Sequence, residues 1–496
     1  MDSVENQPKK HIRRKKSVDE AEMSPEYASG VLTARADGES ARPRRLSFMR
    51  ALGTAVLVLA LASGSYWYGA HTSRSISQIV FSGLDENPER RFADAEQPLF
   101  QQPDFFKEVK EKFIENKTTF LEANLSDMKM RFYREGVLEK EVSILTKGKE
   151  GSWWETPAGL YEVQSKSEQH FSSFGHVYTP WNMVFQGNFF IHGWPTYPDG
   201  RAVESTYSGG CIRLSDADAR ALYDLAPVHT PVLVYEEDYG SDGFMYSVNT
   251  VNVSAKQYAV LDIGNGTVLA QKGMDEVRPI ASVTKIITAL VAAEHINLDK
   301  DIVIDPGSLA STSVPRLKAG DAISAYSLLL PLLLESSNEA AEVLARNVGR
   351  DRFIGLMNDK VKALGMKDTE LTDPAGAEHT NVSTVADLLR LAQYLYNNRS
   401  FILKISSGRE VPTLYKVTTF DNLQNFNEVP GIDGFVGGKV GKNSIGESAV
   451  LLFKVKIDGN ERVLAVVLLD SSDRNADTRA LISHVQRTYN GAMPEQ

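Results

Sequence analysis

Tyr207-Ser208-Gly209-Gly210-Cys211-Ile212-Arg213-Leu214 holds the chain's single cysteine, and Ile191-His192-Gly193 places a histidine nineteen residues before it. A lone thiol forms no internal disulfide, so Cys211 is either a small buried hydrophobe or a nucleophile that needs a base. An imidazole such as His192 supplies that base by taking the thiol proton. Gly209 and Gly210 let the backbone turn tightly before the sulfur and bring N–H groups close to it. Such groups make an oxyanion hole, each donor worth about 3–4 kcal/mol in acyl transfer. Arg213 offers charge to a carboxylate, either a substrate's or that of Asp216 or Asp218. His170, His176 and His229 read as loop or surface histidines, without metal-ligand spacing to Cys211.

These residues are joined by Phe189-Phe190, Thr156-Pro157-Ala158-Gly159, Asp216-Ala217-Asp218-Ala219 and Thr230-Pro231-Val232. Together they resemble the L,D-transpeptidase catalytic domain, from roughly Thr118 to Tyr235. The resemblance implies a mostly β, sandwich-like fold that cross-links peptidoglycan through a cysteine acyl-enzyme, with His192 as base. Gly209, Gly210 and Arg213 are then the candidate substrate-binding residues. The family most often has histidine where this chain has Gly209, which touches whatever a second imidazole adds to the site's shape.

From Tyr258 the pattern changes. Ala259-Val260-Leu261-Asp262 and Thr267-Val268-Leu269 flank Asn265-Gly266, a hairpin signal. Ala281-Ser282-Val283-Thr284-Lys285 then opens an apolar run of helical character from Ile286 to Ala293. Ser282 and Lys285 fall on one face at the helix start, where the helix dipole and a desolvated ammonium support an ionised nucleophile. Serine-x-x-lysine arises by chance about twice in a chain of this size. Its weight comes from Ser336-Ser337-Asn338 and Lys439-Val440-Gly441, which follow in order and complete the signature of penicillin-recognising serine enzymes.

Residues from about Gln257 to Tyr489 resemble the low-molecular-weight penicillin-binding proteins, specifically D-alanyl-D-alanine carboxypeptidases. Pro279 to Lys285, Asp373-Pro374-Ala375-Gly376 and Val382 to Leu388 carry the likeness. It implies an α/β fold with a central antiparallel sheet covered by helices, and β-lactams as inhibitors. Ser282 becomes the acylated nucleophile and Lys285 its base. Ser336 relays a proton to the leaving amine, Asn338 holds the substrate amide, and Lys439 meets the terminal carboxylate, with Val440 and Gly441 beside it. The family has threonine or serine at the place of Val440. The missing hydroxyl removes a hydrogen bond worth ~1.5–3 kcal/mol, which leaves both carboxypeptidase and endopeptidase specificity open.

A chain of 496 residues is too long for one core. Its formal charge of −10, without an aromatic-plus-basic pattern, argues against a nucleic-acid partner. Basic residues gather before the uncharged stretch Ala51 to Ala70, which has the length of a membrane span and carries Tyr66, Trp67 and Tyr68 at its far end. An uncleaved anchor is favoured over a signal peptide cut near Ala60-Leu61-Ala62, because a fifty-residue basic leader is long for the latter. The expected organisation is a disordered basic cytoplasmic tail (1–50), a transmembrane helix (51–70) and a stalk (71–115) with one short helix, Asp104 to Glu115. The L,D-transpeptidase-like domain (116–236), a linker (237–256) and the carboxypeptidase-like domain (257–490) follow. No phosphate-binding glycine loop or metal-ligand cluster implies a cofactor, and no motif fixes an oligomeric state. The expectation is a membrane-anchored, outward-facing enzyme acting on peptidoglycan stem peptides. Its serine site trims pentapeptides and its cysteine site cross-links the tetrapeptides. A catalytically silent wall-binding scaffold is the rival.

Overall fold

A computed structural model describes residues 102–490, apart from 174, 237–248, 378, 410–419 and 458. The expected tail, anchor and all but the end of the stalk lie outside the described residues. Among the described residues no helix is long and apolar enough to cross a membrane.

The stalk's expected helix exists as α1 (Gln102–Glu115), but it is docked rather than free-standing. Its Phe106, Val109 and Phe113 are buried, and Phe106 stacks on Tyr235 at 5.6 Å. Strands β1 (Phe120–Asn124), β2 (Lys129–Arg134), β3 (Val137–Ser143) and β4 (Gly159–Glu162) come next. They are followed by β5 (Ser165–Ser172), β6 (Val177–Gln186), β7 (Phe189–His192), β8 (Ile212–Arg213), α2 (Asp216–Leu225) and β9 (Pro231–Tyr235). One sheet has the order β3-β2-β1-β9-β4 and the other β5-β6-β7-β8. Leu121, Ala123 and Phe132 of the first share a core with Met183, Phe185 and Ile191 of the second. Strand β1 is buried on both faces because α1 covers the outer one. Glu122 on that strand is fully buried and is held by Lys110 Nζ at 2.7 Å and the Tyr133 hydroxyl at 3.0 Å.

The second half is built on a wholly antiparallel sheet. Its strands are β10 (Gln257–Asp262), β11 (Thr267–Lys272), β12 (Phe435–Lys442), β13 (Glu447–Ile457) and β14 (Asn460–Ser471), in the order β11-β10-β14-β13-β12. Side-chain alternation divides β14 cleanly. Ala465, Val467 and Leu469 join the helical core, whereas Leu464, Val466 and Leu468 pack with Leu481 and Val485 of the last helix. The helices are α3 (Lys285–His295), α4 (Ala325–Leu334), α5 (Asn338–Val348), α6 (Arg350–Ala363), α7 (Val385–Asn397), α8 (Ser400–Ser406) and α9 (Arg474–Asn490). Of the expected linker, 237–248 lies outside the described residues. The rest is packed down, with Ala255 buried and its N–H donating to Asp477 Oδ2 at 2.8 Å.

The two halves share one apolar core, which joins α1, Trp153, Ala158 and Leu233 to helices α3 through α8. A buried polar knot ties them further. Glu294, near the end of α3, pairs with Lys360 Nζ at 2.8 Å, and both side chains are fully buried. Gln186, at the end of β6, donates through Nε2 to Glu294 Oε2 at 2.8 Å, and the Asn188 N–H donates to the Glu294 carbonyl at 3.0 Å. Lys360 reaches the hydroxyls of Tyr161 and Tyr394, while Arg399 Nη1 donates to the Glu155 carbonyl at 2.7 Å. Burial alone would raise the Glu294 carboxyl. Lys360 and Arg399 outweigh it and hold the group below its usual range.

Removing one partner of such a pair strands the other charge in a dry interior. Lys360→Met is therefore expected to destabilise the protein by about 3–5 kcal/mol, read as a lower midpoint in thermal or urea unfolding. The double variant Glu294→Gln with Lys360→Met should lose less than Lys360→Met alone. A single variant that melts like the parent would contradict the assignment.

Candidate active sites

The cysteine site is set by a parallel pairing of two short strands. Ile191 lies opposite Ile212 and His192 opposite Arg213. Both isoleucines are fully buried in the core, so alternation sends His192 and Arg213 to the other face. There they line a cavity of about 770 Å³ together with Gly209 and Cys211. Gly210 adopts φ +99°, and a Cβ on it would lie 2.1 Å from Phe189 Cε1, so only glycine fits the turn. The backbone groups of Gly210 are committed internally. Its N–H donates to Ser208 Oγ at 3.0 Å, and its carbonyl accepts from Thr156 Oγ1 at 2.9 Å. Gly210 thus shapes the approach to the sulfur rather than offering its N–H to a substrate, and Thr156 explains the value of the Thr-Pro-Ala-Gly turn.

His192 Nδ1 lies 2.5 Å from the Gly193 carbonyl, which can only accept, so Nδ1 carries the proton and Nε2 is left as the basic nitrogen. Burial lowers the imidazole to about 4, against the pull of that hydrogen bond. Burial also pushes the Cys211 thiol up to about 11, only partly offset by the Phe190 backbone and the Arg213 charge. The resting pair is therefore a neutral thiol and a neutral imidazole, with no hydrogen bond between them among the described residues. Nε and Nη1 of Arg213 are buried without a protein partner, and its guanidinium sits 5.6 Å from the Trp194 ring. Neither aspartate takes it. Asp216 Oδ1 accepts from the Trp194 N–H at 2.7 Å, and Asp218 Oδ2 accepts from Ser215 Oγ at 2.7 Å. His170, read from sequence as an ordinary histidine, lines the same cavity with its ring 5.2 Å from that of Phe190. Histidine spacing gave no sign of this, because the contact depends on the β5–β6–β7 register.

The serine site is more tightly wired. Ser282 lies in a single 3-10 turn, Ala281–Thr284, that runs into α3. Ala281 before it is forced to φ +48°, a strained setting for a residue with a side chain. Lys285 is fully buried, with Nζ 2.9 Å from Ser282 Oγ, 2.8 Å from Asn338 Oδ1 and 2.5 Å from the Ala375 carbonyl. Burial brings its ammonium down to about 7, with Asp373 pulling the other way. Asp373 Oδ1 in turn accepts the N–H groups of Ala375 and Gly376, each at 2.7 Å, and fixes the loop that supplies that carbonyl. A backbone carbonyl leaves no side-chain signature, so the stretch Asp373 to Gly376 marks a family likeness in sequence without revealing that Ala375 bonds Lys285.

Asn338, expected to hold a substrate amide, here tethers Lys285, and its Nδ2 donates to the Ser311 carbonyl at 2.7 Å. Ser336 is held at φ +62° between the end of α4 and the start of α5, and no hydrogen bond ties its hydroxyl among the described residues. Lys439 is fully buried on β12, with Nζ donating to the Val440 carbonyl at 2.8 Å. Burial first, then the charges of Lys285 and Arg474, lowers it well below the usual lysine range. Asn427, not singled out from sequence, accepts the Val440 N–H at 3.1 Å and orders this strand. Gly441 presses on the nucleophile turn: a Cβ there would lie 2.8 Å from the Ser282 nitrogen. Val440 does not sit beside Lys439 as a substrate contact. Its side chain turns the other way, into the apolar cluster beneath α9.

Comparison with known proteins bears on both sites. The chain is 41% identical over 139 residues to a D-alanyl-D-alanine endopeptidase of Pseudomonas aeruginosa, which covers 27% of this chain and 44% of that protein. It is 34% identical over 165 residues to a D-alanyl-D-alanine endopeptidase of Haemophilus influenzae, covering 31% and 54%. The chain thus spans about half the length of these curated relatives. A crystal structure of D-alanyl-D-alanine carboxypeptidase from Mycobacterium tuberculosis aligns at 26% identity over 51% of this chain and 97% of that one, with a TM-score of 0.43. Residues 118–234 match the family model for the L,D-transpeptidase catalytic domain, and residues 245–472 match that for D-alanyl-D-alanine carboxypeptidase, so the chain carries both in the order its motifs indicate.

Proposed function

We propose that this chain is a peptidoglycan enzyme with two acyl-transfer sites, a serine D,D-peptidase and a cysteine L,D-transpeptidase. The observation that carries the reading is Lys285 Nζ held 2.9 Å from Ser282 Oγ, with its ammonium brought down to about 7. At neutral pH a large fraction of Lys285 is then an uncharged amine able to take the hydroxyl proton. Ser282 Oγ attacks the carbonyl of the penultimate D-alanine. Lys285 takes the proton, Ser336 passes one to the leaving amine, and water hydrolyses the ester. A substrate's terminal carboxylate beside Lys439 would favour the charged ammonium that burial disfavours, and a β-lactam that mimics this terminus acylates Ser282 instead.

At the other site, His192 Nε2 takes the Cys211 proton as the sulfur attacks the stem carbonyl. The amine of the departing D-alanine leaves with that proton. An acceptor amine then attacks the thioester and restores the thiol. The unpartnered N–H groups of Arg213 suit a stem-peptide carboxylate. Trimming pentapeptide to tetrapeptide at Ser282 would produce the donor that Cys211 consumes. The anchor reading of residues 51–70 places both sites on the outer, wall-facing side of the plasma membrane.

An endopeptidase reading of the serine site rests on the relatives named as endopeptidases. Muropeptide mass spectrometry separates the two: release of free D-alanine from pentapeptide marks a carboxypeptidase, and cleavage of cross-linked dimers marks an endopeptidase.

Burial depresses Lys285, so its neutral form is present above about pH 7 and is lost as pH falls through that value. The second-order rate of Ser282 acylation by benzylpenicillin should accordingly drop about ten-fold per pH unit well below 7. A rate that stays flat from pH 5 to 8 would remove Lys285 as the base. In the same preparation, Ser282→Ala should abolish cross-linking from pentapeptide yet keep it from supplied tetrapeptide, while Cys211→Ala should abolish both. Cross-linking of pentapeptide by Ser282→Ala at the parent rate would show that the two sites do not act in sequence.

A further inference from the structure

The cavity in front of Cys211 is not enclosed by its own half alone. One wall comes from the two strands and the loop that carry His192, Cys211 and Arg213. The facing wall comes from the serine half: His295 at the end of α3, Asn297 and Lys300 after it, and Asn347 at the end of α5. The buried knot at Glu294 fixes this facing, because the β6–β7 turn is bonded to the last turn of α3. A Cβ on Gly187 in that turn would come 2.3 Å from the Glu294 carbonyl, so the approach is as close as backbone allows.

We infer that the serine half completes the substrate site of the cysteine half, with Lys300 holding a carboxylate of the stem peptide across the cavity from Arg213. This rests on the proposed transpeptidase reading and adds a recognition residue from a different part of the chain. Several features converge on it. Arg213 lines the cavity at 7% exposure, its Nε and Nη1 are buried without a partner, and no carboxylate pairs with it among the described residues, so the wall on that side carries an unneutralised positive charge. Lys300 is the serine half's cation on that cavity, next in sequence to Asp301, which lines it too, and no ion pair engages Lys300 among the described residues. Its backbone is fixed on both sides, its N–H donating to the Asn297 carbonyl at 3.0 Å and its carbonyl accepting from Ala325 at 2.9 Å. The side chain therefore issues from a set position rather than from a loose loop. Asn297, whose Oδ1 accepts the Asp299 N–H at 3.1 Å, and Asn347 line the same wall and add amide groups suited to a peptide backbone. A cavity of about 770 Å³ is in the range of drug-sized ligands and accommodates a short peptide.

The test uses the whole chain and two readouts, of which one needs no enzyme activity. The first is the rate of Cys211 alkylation by anionic iodoacetate relative to neutral iodoacetamide. Lys300→Glu should lower that ratio at least about five-fold and Lys300→Arg should keep it, following the sign of the charge at the cavity. The second is KM for tetrapeptide in cross-linking, which should rise at least about five-fold in Lys300→Glu with kcat little changed. Penicillin labelling of Ser282 confirms that the variant is folded. An unchanged ratio in a variant that still takes penicillin overturns the inference, whatever the cross-linking does. A lowered ratio with no cross-linking even in the parent keeps the cationic wall and instead defeats the transpeptidase reading on which the stem-peptide identity rests.

Discussion

A carboxylate buried where two halves of a chain meet is the constraint on which this architecture turns. Glu294 has no access to solvent, so it must be satisfied by protein groups or be neutralised. Lys360 comes from a neighbouring helix of its own half, whereas Gln186 and the Asn188 N–H come from the other half. Separating the halves would strip the carboxylate of its bond from Gln186 and Lys360 of its bond to Tyr161. The pair brings little net stability, since desolvating two charges offsets much of their attraction. Its consequence is specificity of docking, because Gln186 and Tyr161 reach Glu294 and Lys360 when the halves face each other this way.

That docking has a geometric result for the chemistry. Helix α3 begins with Lys285 at the serine site and ends with His295 at the cysteine cavity. Helix α5 begins with Asn338, bonded to Lys285, and ends next to the cavity-lining Asn347. Each has eleven residues, or about 16 Å of helix. The two sites therefore stand at opposite ends of the same pair of packed helices. The dipole logic suits the serine end, where the helix start favours a developing oxyanion near Ser282.

Much of this was legible in the residues themselves. The Asn265-Gly266 hairpin and the helix start at the serine-x-x-lysine turn follow from local periodicity and turn chemistry, whereas the mostly β cysteine half was implied by the resemblance of its motifs to a known family. What escaped reading was of one kind: contacts made between segments far apart in sequence. The Ala375 carbonyl, Asn427 and His170 matter through where the chain brings them, and each alone is an ordinary residue. Side-chain direction also misled at Val440, because a motif names positions without saying which face of a strand each one takes. The helix at Gln102–Glu115 was anticipated but not its docking, since Phe106, Val109 and Phe113 reveal an apolar stripe without revealing what covers it.

If the Glu294 knot makes one body of the two halves, their stabilities cannot be separate. Native-state hydrogen exchange in rising urea measures this directly, through the opening free energies of the amides in β7 (Phe189–His192) and α3 (Lys285–His295). The account predicts that the most protected amides of both elements merge into one opening event of the same free energy and the same denaturant dependence. Separate events, with β7 opening while α3 stays protected or the reverse, would contradict it and leave two independent domains that merely share a chain.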